Sequence, residues 1–541
     1  MNAAQQADRG DPADVVVVGA GPVGLTIANL LAQRDVRVLL VERSGDISDE
    51  PRAISITDES LRVMDDIGIL DALKPEMLMN TGARYFGRKE QLLAEVKPRR
   101  SMLGYPGKSQ FDQPVLARLL LDAARANANI TLCFDTEADT LTQRDDGVEV
   151  LLKGRDGARR IAAKWLVACD GGRSGVRTQL GIKLEGSTQV QKWIVVDTLN
   201  RQGTPEPFSE FHCDGVRPGV VVPGVKGRCR YEFMLKPDDD PDAVIQPAFI
   251  AKLISPFQTI QPGDIRRSAV YIAHQRIAAT FRVGRVLLAG DAAHMMPPFA
   301  GQGLNAGVRD AANLAWKIAA HVKGEAGDTL IDSYELERKG HAAEMVRLSV
   351  RIGKVVMSTH ALGTVLRDWS VSALRLVPSI RRWLVEMRFL KQPHFTAGCV
   401  VAPGADLPAS AARFAGRALP QPRVQVVSAG GPGEMPLDRL LGDDWAVLAF
   451  SADGTIEIRR AMHERQTVRD IDGFFADLAG SGLSLVVRPD RYVALVAPTA
   501  SLDTALGALD TLMPRLRQRL AAGGRSVPGA ESHENPAPAS I

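Results

Sequence analysis

The chain is 541 residues long, room for three or four domains at roughly 150 residues each and for a sizeable core. Apolar residues make up 45% and charged residues 24%, which excludes bulk disorder and collagen-like structure. Lys plus Arg is 66 against 63 for Asp plus Glu, a net charge of +3, and aromatics are 5%, so neither a basic footprint nor a stacking surface points to nucleic acid.

Met1–Ala13 is polar and reads as a flexible arm without the apolar segment of a signal peptide. Asp14–Val18 (DVVVV) is a β-branched run suited to a strand buried on both faces of a parallel sheet. A glycine-rich turn, a helix over Val23–Gln33 and a second strand over Val36–Val41 complete a βαβ unit. Helical periodicity follows in Glu59–Leu73 and Gln113–Ala126, then strands in Val148–Leu152 and Arg160–Ala168. Gln189–Ile272 is strand-rich and broken by Pro and Gly, an antiparallel sheet inserted into the first fold. Arg285–Ala289 is again a buried strand, and helix runs from Asn305 to about Lys391. Its arginines, Arg347, Arg351, Arg367, Arg375, Arg381, Arg382 and Arg388, read first as a solvated face and second as a membrane or partner surface. Near Cys399 the composition turns to Pro, Gly and Ala, a domain boundary. Strands at Trp445–Ser451 and Leu483–Pro498 and a helix at Leu502–Leu520 form a small α/β unit, before a Gly-, Ser- and Pro-rich tail over 521–541 that reads as disordered.

The five cysteines, Cys133, Cys169, Cys213, Cys229 and Cys399, are odd in number and contain no C-x-x-C pair, so zinc and disulfide frameworks are not expected. No window of about 18 apolar residues suggests a membrane span. The expectation is a cytoplasmic protein.

Chemistry enters with Gly19-Ala20-Gly21-Pro22-Val23-Gly24, a G-x-G-x-x-G placed between a buried strand and a helix. Gly19 permits the turn, Gly21 lets a pyrophosphate approach the backbone, and Gly24 lets helix and strand pack closely. Glu42, with Arg43 beside it, ends the second strand where a ribose-binding acid belongs. This motif does not separate FAD from NAD. A second segment, RVLLAGDAAHMMPPFAGQGLN, runs from Arg285 to Asn305. Its strand ends in Gly290-Asp291, whose acid can accept from a ribityl or ribose hydroxyl. Gly301 and Gly303 allow backbone against a flat ring. Leu304 and Asn305 open a helix whose free amides favour negative charge. On spacing alone a proline-rich connector explains it equally well.

The GAGPVG turn, the D-G-x-x-S-x-V-R pattern at Asp170–Arg177 and the GDAAH…PP…GQGLN segment occur in the order seen in single-component FAD-dependent aromatic hydroxylases, and the chain resembles that family over at least Asp14 to Lys391. Pro51-Arg52-Ala53, Trp165–Gly172, Trp193–Asp197 and Leu384–Phe389 are most similar to the 3-(3-hydroxyphenyl)propionate hydroxylase group. The fold implied is α/β: a Rossmann-like FAD-binding domain over 14–185 and 276–395 with a helical segment, a mostly antiparallel substrate-binding sheet over 186–275, and a thioredoxin-like C-terminal domain over 400–520 without redox cysteines.

The resemblance assigns Arg52 to the FAD phosphate or ribose, Gln113 and Asp291 to the ribityl or ribose portion, Asp170 and Arg177 to supporting FAD and nicotinamide, and the backbone of Pro298 to the flavin face where oxygen reacts. Ala117 stands where an acid is often found, a departure that weakens the local network. The reaction implied uses NADH or NADPH and O2 to hydroxylate a phenolic acid ortho to its hydroxyl through a flavin C4a-hydroperoxide. 3-(3-Hydroxyphenyl)propionate and 3-hydroxycinnamate are the substrates first expected. Tyr271 is a candidate substrate-binding residue, and His274, three residues on, reads first as a structural histidine and second as a candidate base. A carboxylate substrate calls for a cation, and Arg217, Arg228 and Arg230 are candidates among which the sequence does not choose. Other readings are hydroxylation of a polyketide or antibiotic, a flavin reductase that does not use oxygen, and a non-catalytic FAD-bearing sensor. A homodimer stays open.

Overall fold

The computed structural model describes residues 13–98, 101–240, 242–374, 376–387, 390, 392–427, 433–461 and 465–522. The arm expected at 1–13 and the tail expected at 521–541 therefore lie almost wholly outside the described residues. The chain divides into two compact units, Met1–Gly398 and Cys399–Ile541.

The first unit is built on a six-stranded sheet. At its centre β1 (Val15–Val18) pairs in parallel with β2 (Val38–Val41) and with Trp165–Ala168. Ile130–Cys133 and Val286–Leu288 extend the parallel arrangement, and Arg282–Val283 closes one edge antiparallel. All four valines of β1 are buried, as a strand covered on both faces requires. The helix α1 (Pro22–Ala32) starts with Pro in its first turn, where no amide is lost. It lies close to the helix Gly303–Val322: a Cβ on Gly307 would meet Val23 Cγ2 at 2.5 Å.

Several boundaries differ from expectation for local reasons. The helix expected over 59–73 splits into Asp58–Ile67 and Leu70–Leu73 at Gly68, whose φ of 87° ends the first helix in a left-handed cap. The run Arg160–Ala168 belongs to two sheets. Gly157–Ala163 closes a three-stranded antiparallel meander, and Trp165–Ala168 enters the parallel sheet.

The second sheet has eight strands and is not confined to 186–275. Its backbone is the pair Leu184–Thr198 and Ile265–Ala278, followed outward by Cys229–Met234, Gly219–Pro223 and Phe208–His212. Gly82–Phe86 then adds in parallel to Phe208–His212, with Leu92–Val96 beyond it. His294–Met295 joins the opposite edge, so the flavin-type loop of the sequence is hydrogen-bonded into this sheet. A helix, Pro247–Ile254, lies within the stretch that reads as strand-rich.

Of the seven helical arginines, Arg347, Arg351, Arg381 and Arg382 are exposed, Arg367 is tied to Asp368 and the Cys213 carbonyl, and Arg375 and Arg388 lie outside the described residues. Among the described residues no helix is long and apolar enough to cross a membrane.

The second unit carries a seven-stranded sheet in which every described pairing is antiparallel. A thioredoxin-like layout calls for crossover-connected parallel strands, and none is present among these pairings. Leu483–Pro498 is a hairpin of two strands, and the expected final helix is broken into Leu502–Leu506 and Leu516–Ala522, with Pro514 in the gap.

Candidate active site

The glycine turn has the geometry its spacing implies. Gly19 has a φ of 105°, and a Cβ there would meet the Cys169 carbonyl at 2.6 Å. A Cβ on Gly24 would lie 2.0 Å from the Gly19 carbonyl oxygen, so only glycine lets α1 sit this close to the turn. Gly21, by contrast, has nothing within 4 Å of its Cβ position and faces an open cleft. The Ala20 amide donates to Glu42 Oε2 at 2.8 Å and the Ser44 amide to Oε1 at 2.9 Å, which fixes the acid at the end of β2. Arg43 beside it is exposed.

This cleft is a cavity of about 310 Å³. One wall is Gly21, Pro22, Val23, Arg52, Gln113, Asp291, Pro298, Gly301, Gly303 and Leu304. The opposite wall comes from the eight-stranded sheet: Ser209, Phe211, Val220, Val222, Arg230 and Glu232. Lys108, Met296 and Phe299 also line it.

The residues present fit an FAD. Asp291 lines the cleft, is exposed there, and accepts no hydrogen bond from any described residue, so a ribityl hydroxyl would satisfy it. Asp170 Oδ1 is buried without a partner, while its Oδ2 takes the Val176 amide. Gln113 opens its helix and accepts the Ala53 amide through Oε1 at 2.6 Å, which leaves its amide nitrogen for a ligand. The first amides of Gly303–Val322 are free of backbone partners at a cleft wall, a site suited to negative charge. Gly290 and Gly301 both have a φ of 61°, and a Cβ on Gly301 would press on Ser55 Cβ at 3.0 Å.

Some expected ligands turn out to be ties. Asn305 does not reach the cleft with its side chain. Its Oδ1 accepts from the Thr57 amide, Thr57 Oγ1 and Ser60 Oγ, and its Nδ2 donates to the Ser55 and Gly301 carbonyls. Arg177 is buried and donates to the Ala292 and Gly172 carbonyls, so it holds the two fingerprint loops together. Arg52 is an exposed cleft residue that reaches Glu50 at 3.3 Å.

The expected substrate residues need more correction. His274 is exposed, its Nδ1 is 2.9 Å from Thr188 Oγ1, and it does not line the cleft. Successive strand residues alternate faces, and an odd separation of three puts His274 on the face opposite Tyr271. Arg217 is spent on a two-point pairing with Asp239 at 2.7 and 2.9 Å. Arg228 is held by Glu76 and Asp112 beside a smaller neighbouring cavity. Arg230 does line the cleft, but its Nε is 2.7 Å from Asp197 and its remaining donors go to the Pro51 and Arg52 carbonyls. Tyr271 lies behind the wall and donates its hydroxyl to Glu232 Oε2 at 3.2 Å.

Glu232 is the residue that reading by single positions misses. It stands two residues after Arg230, on the same strand face, and looks into the cavity. Burial raises its carboxyl above the usual range, since the nearby Arg230 cation is already matched by Asp197. A second missed feature braces the loop. Asp310, fully buried, accepts from the Gly290 amide at 3.1 Å, His294 Nε2 at 2.7 Å and Arg338 Nε at 2.8 Å.

A parallel sheet with a G-x-G-x-x-G turn, an acid at the end of β2 and a second glycine loop facing a large antiparallel sheet defines an FAD-dependent oxidoreductase. A family profile described as "FAD binding domain" matches residues 12–349. The chain is 39% identical over 439 residues to a 3-(3-hydroxy-phenyl)propionate/3-hydroxycinnamic acid hydroxylase of Mycolicibacterium smegmatis, covering 81% of this chain and 77% of that protein. It is 36% identical over 540 residues to the enzyme of that name from Escherichia coli O81, covering 93% and 95%. Among solved structures, aklavinone-11 hydroxylase in complex with FAD and aklavinone matches with a TM-score of 0.74 at 27% identity, over 93% of this chain and 99% of that one. Anhydrotetracycline hydroxylase from Streptomyces rimosus matches at 0.70 and 25%, with the same coverage. The chain belongs to the FAD-binding family of flavoprotein aromatic hydroxylases and is a monooxygenase.

Proposed function

We propose that the chain hydroxylates a small phenolic acid, 3-(3-hydroxyphenyl)propionate or 3-hydroxycinnamate, at the carbon ortho to the hydroxyl, with NAD(P)H and O2 as co-substrates. One observation carries this reading: the dinucleotide turn and an aromatic-sized wall of Phe211, Val220, Val222 and Phe299 share one cavity that also contains a buried carboxylate. Bound FAD, once reduced by NAD(P)H, supplies the oxygen-activating chemistry. The chain's own residues do the rest. Glu232 accepts the phenol proton, which pushes electron density onto the ortho carbon, and its burial brings its pKa toward the working range of a base. Tyr271 holds that carboxylate from behind. Phe299, packed edge-on against Trp193 at 5.4 Å, and the valines keep water out.

The thioredoxin-like reading of 400–520 comes from the family resemblance and agrees with a small unit that has no cysteine after Cys399; the antiparallel pairing counts against it. Five free cysteines support a reducing, cytoplasmic setting. The test is NADH-dependent oxygen uptake by the yellow protein with and without 3-(3-hydroxyphenyl)propionate. A substrate-dependent rate and a product heavier by one oxygen are expected. Bound flavin with no response would refute this substrate class and favour the larger phenols of the polyketide hydroxylases, whose fold this chain shares.

A further inference from the structure

The three arginines expected to clamp a carboxylate are occupied, so the cavity's cation must be sought elsewhere. Lys108 lines the same cavity, at the start of the strand Lys108–Phe111. Its backbone is fixed on both sides: it pairs in register with Thr57, and its carbonyl accepts the Thr81 amide at 2.9 Å. Two residues on, on the same strand face, Gln110 Nε2 donates to Ser209 Oγ at 2.8 Å, and Ser209 belongs to the sheet wall of the cavity. Lys108 therefore stands on a face that looks toward the sheet wall. Among the described residues no carboxylate lies within ion-pair reach of its ammonium. Surrounding protein lowers its pKa to about 8, the direction expected of a cation taken out of water without a partner.

The other charges of the cavity strengthen the point. Arg230 is balanced by Asp197, Arg52 reaches Glu50, and Glu232 and Asp291 are acids. An anionic substrate meets repulsion from both acids unless a free cation receives it. We infer that Lys108 is the specificity-determining residue that receives the anionic side arm of the substrate, an arylalkanoate carboxylate, while the ring lies between Phe299 and the sheet wall. This rests on the hydroxylase reading above and names the residue that selects its substrate class. A lysine is a flexible point charge, so it serves side arms of somewhat different reach.

The same cation could instead serve the negative end of a reduced flavin, and the experiment separates the two. Oxidised holoenzyme is titrated with 3-phenylpropionate, which lacks the phenol and cannot react, and with its neutral counterpart 3-phenylpropan-1-ol; binding is read from the flavin absorbance. Lys108→Met is expected to weaken 3-phenylpropionate at least tenfold, to leave 3-phenylpropan-1-ol within twofold, and to retain FAD as wild type does. Lys108→Arg is expected to recover most of the anion affinity. Equal binding of 3-phenylpropionate by wild type and Lys108→Met would overturn the inference, as would equal weakening of both ligands or failure of wild type to bind the anion. Loss of FAD from Lys108→Met would assign the cation to the flavin and also overturn it. The hydroxylase reading is judged separately, by product formation in the wild-type protein.

Discussion

Asp310→Asn tests whether the buried carboxylate behind the second glycine loop supports the cofactor site. The wild-type carboxylate accepts three hydrogen bonds, from the Gly290 amide, His294 and Arg338, and has no exposed side-chain surface. An amide of the same shape has one acceptor oxygen, and its NH2 group must face either Arg338 or the Gly290 amide and His294 together. Arg338, 1% exposed, is then left as a buried cation with no formal counter-charge on this side. Breaking a buried pair in this way costs about 3–5 kcal/mol. For the 398-residue first unit, an unfolding entropy of roughly 0.8 kcal/mol/K turns that into a fall of about 4–6 °C in midpoint. The Gly290 amide hangs on the other oxygen, Oδ2, with His294, so where that position is disturbed the Gly290-Asp291 turn loosens, and FAD affinity is expected to fall about tenfold, on the order of one lost hydrogen bond. Burial works against the Asp310 charge, but His294 and Arg338 hold its carboxyl below the usual range. A depressed folded-state pKa gives stability that is present above the unfolded carboxylate value and lost as pH falls through the folded value. The gap between wild type and variant is therefore full at pH 7 and closes under acid. The assay is thermal release of flavin fluorescence at pH 7, with FAD titration of the apoprotein. A midpoint within 1 °C of wild type together with unchanged FAD affinity would refute the reasoning.

Gly24→Ala places a methyl group 2.0 Å from the Gly19 carbonyl, so the variant is expected to purify with less than a tenth of the wild-type flavin-to-protein absorbance ratio. Burial and the neighbouring Glu59 raise the Asp58 carboxyl to about 6, so its folded form prefers the proton; the stability this gives is full below the unfolded value and lost as pH rises through about 6. Asp58→Asn should therefore melt above wild type at pH 7.5 and show no gain at pH 4, by thermal scans at both. Tyr271→Phe removes the donor that holds Glu232, and kcat for hydroxylation is expected to drop about tenfold, with the acid limb of its pH profile moved upward and flavin retention unchanged. Gly353→Ala pushes a Cβ to 2.7 Å from the Phe299 ring, and should lower the yield of hydroxylated product per NADH by admitting water to the cavity.

What the sequence made legible is what sits on contiguous stretches. The GAGPVG turn, Glu42 at the end of β2 and the Gly290–Leu304 loop each occupy a few consecutive residues, and their backbone demands are written in glycine and proline positions. The sheet wall is assembled differently. Ser209, Phe211 and Glu232 come from strands brought together by an eight-stranded order that also recruits Gly82–Phe86 and His294–Met295 from outside the expected insert, while Lys108 joins the cavity from a separate three-stranded sheet. No local pattern announces that order, since a parallel pair such as Phe208–His212 with Gly82–Phe86 joins segments more than a hundred residues apart.

The arginine candidates show a second limit and how to work within it. A guanidinium is useful to a substrate only if no carboxylate of the protein claims it first, and Asp239, Glu76 and Asp197 are all distant in sequence from the arginines they occupy. Residue type alone therefore overstates the number of available cations. Strand parity, however, is readable from sequence. His274 lies an odd number of positions from Tyr271 and so belongs to the other face, whereas Arg230 and Glu232, two apart, share one. Applied to Cys229–Met234, that parity puts an acid beside the most buried of the candidate arginines. A clamp for an anion would not be built next to a second anion without another cation, and the same argument leads from Arg230 to the unpaired Lys108 that lines the same cavity.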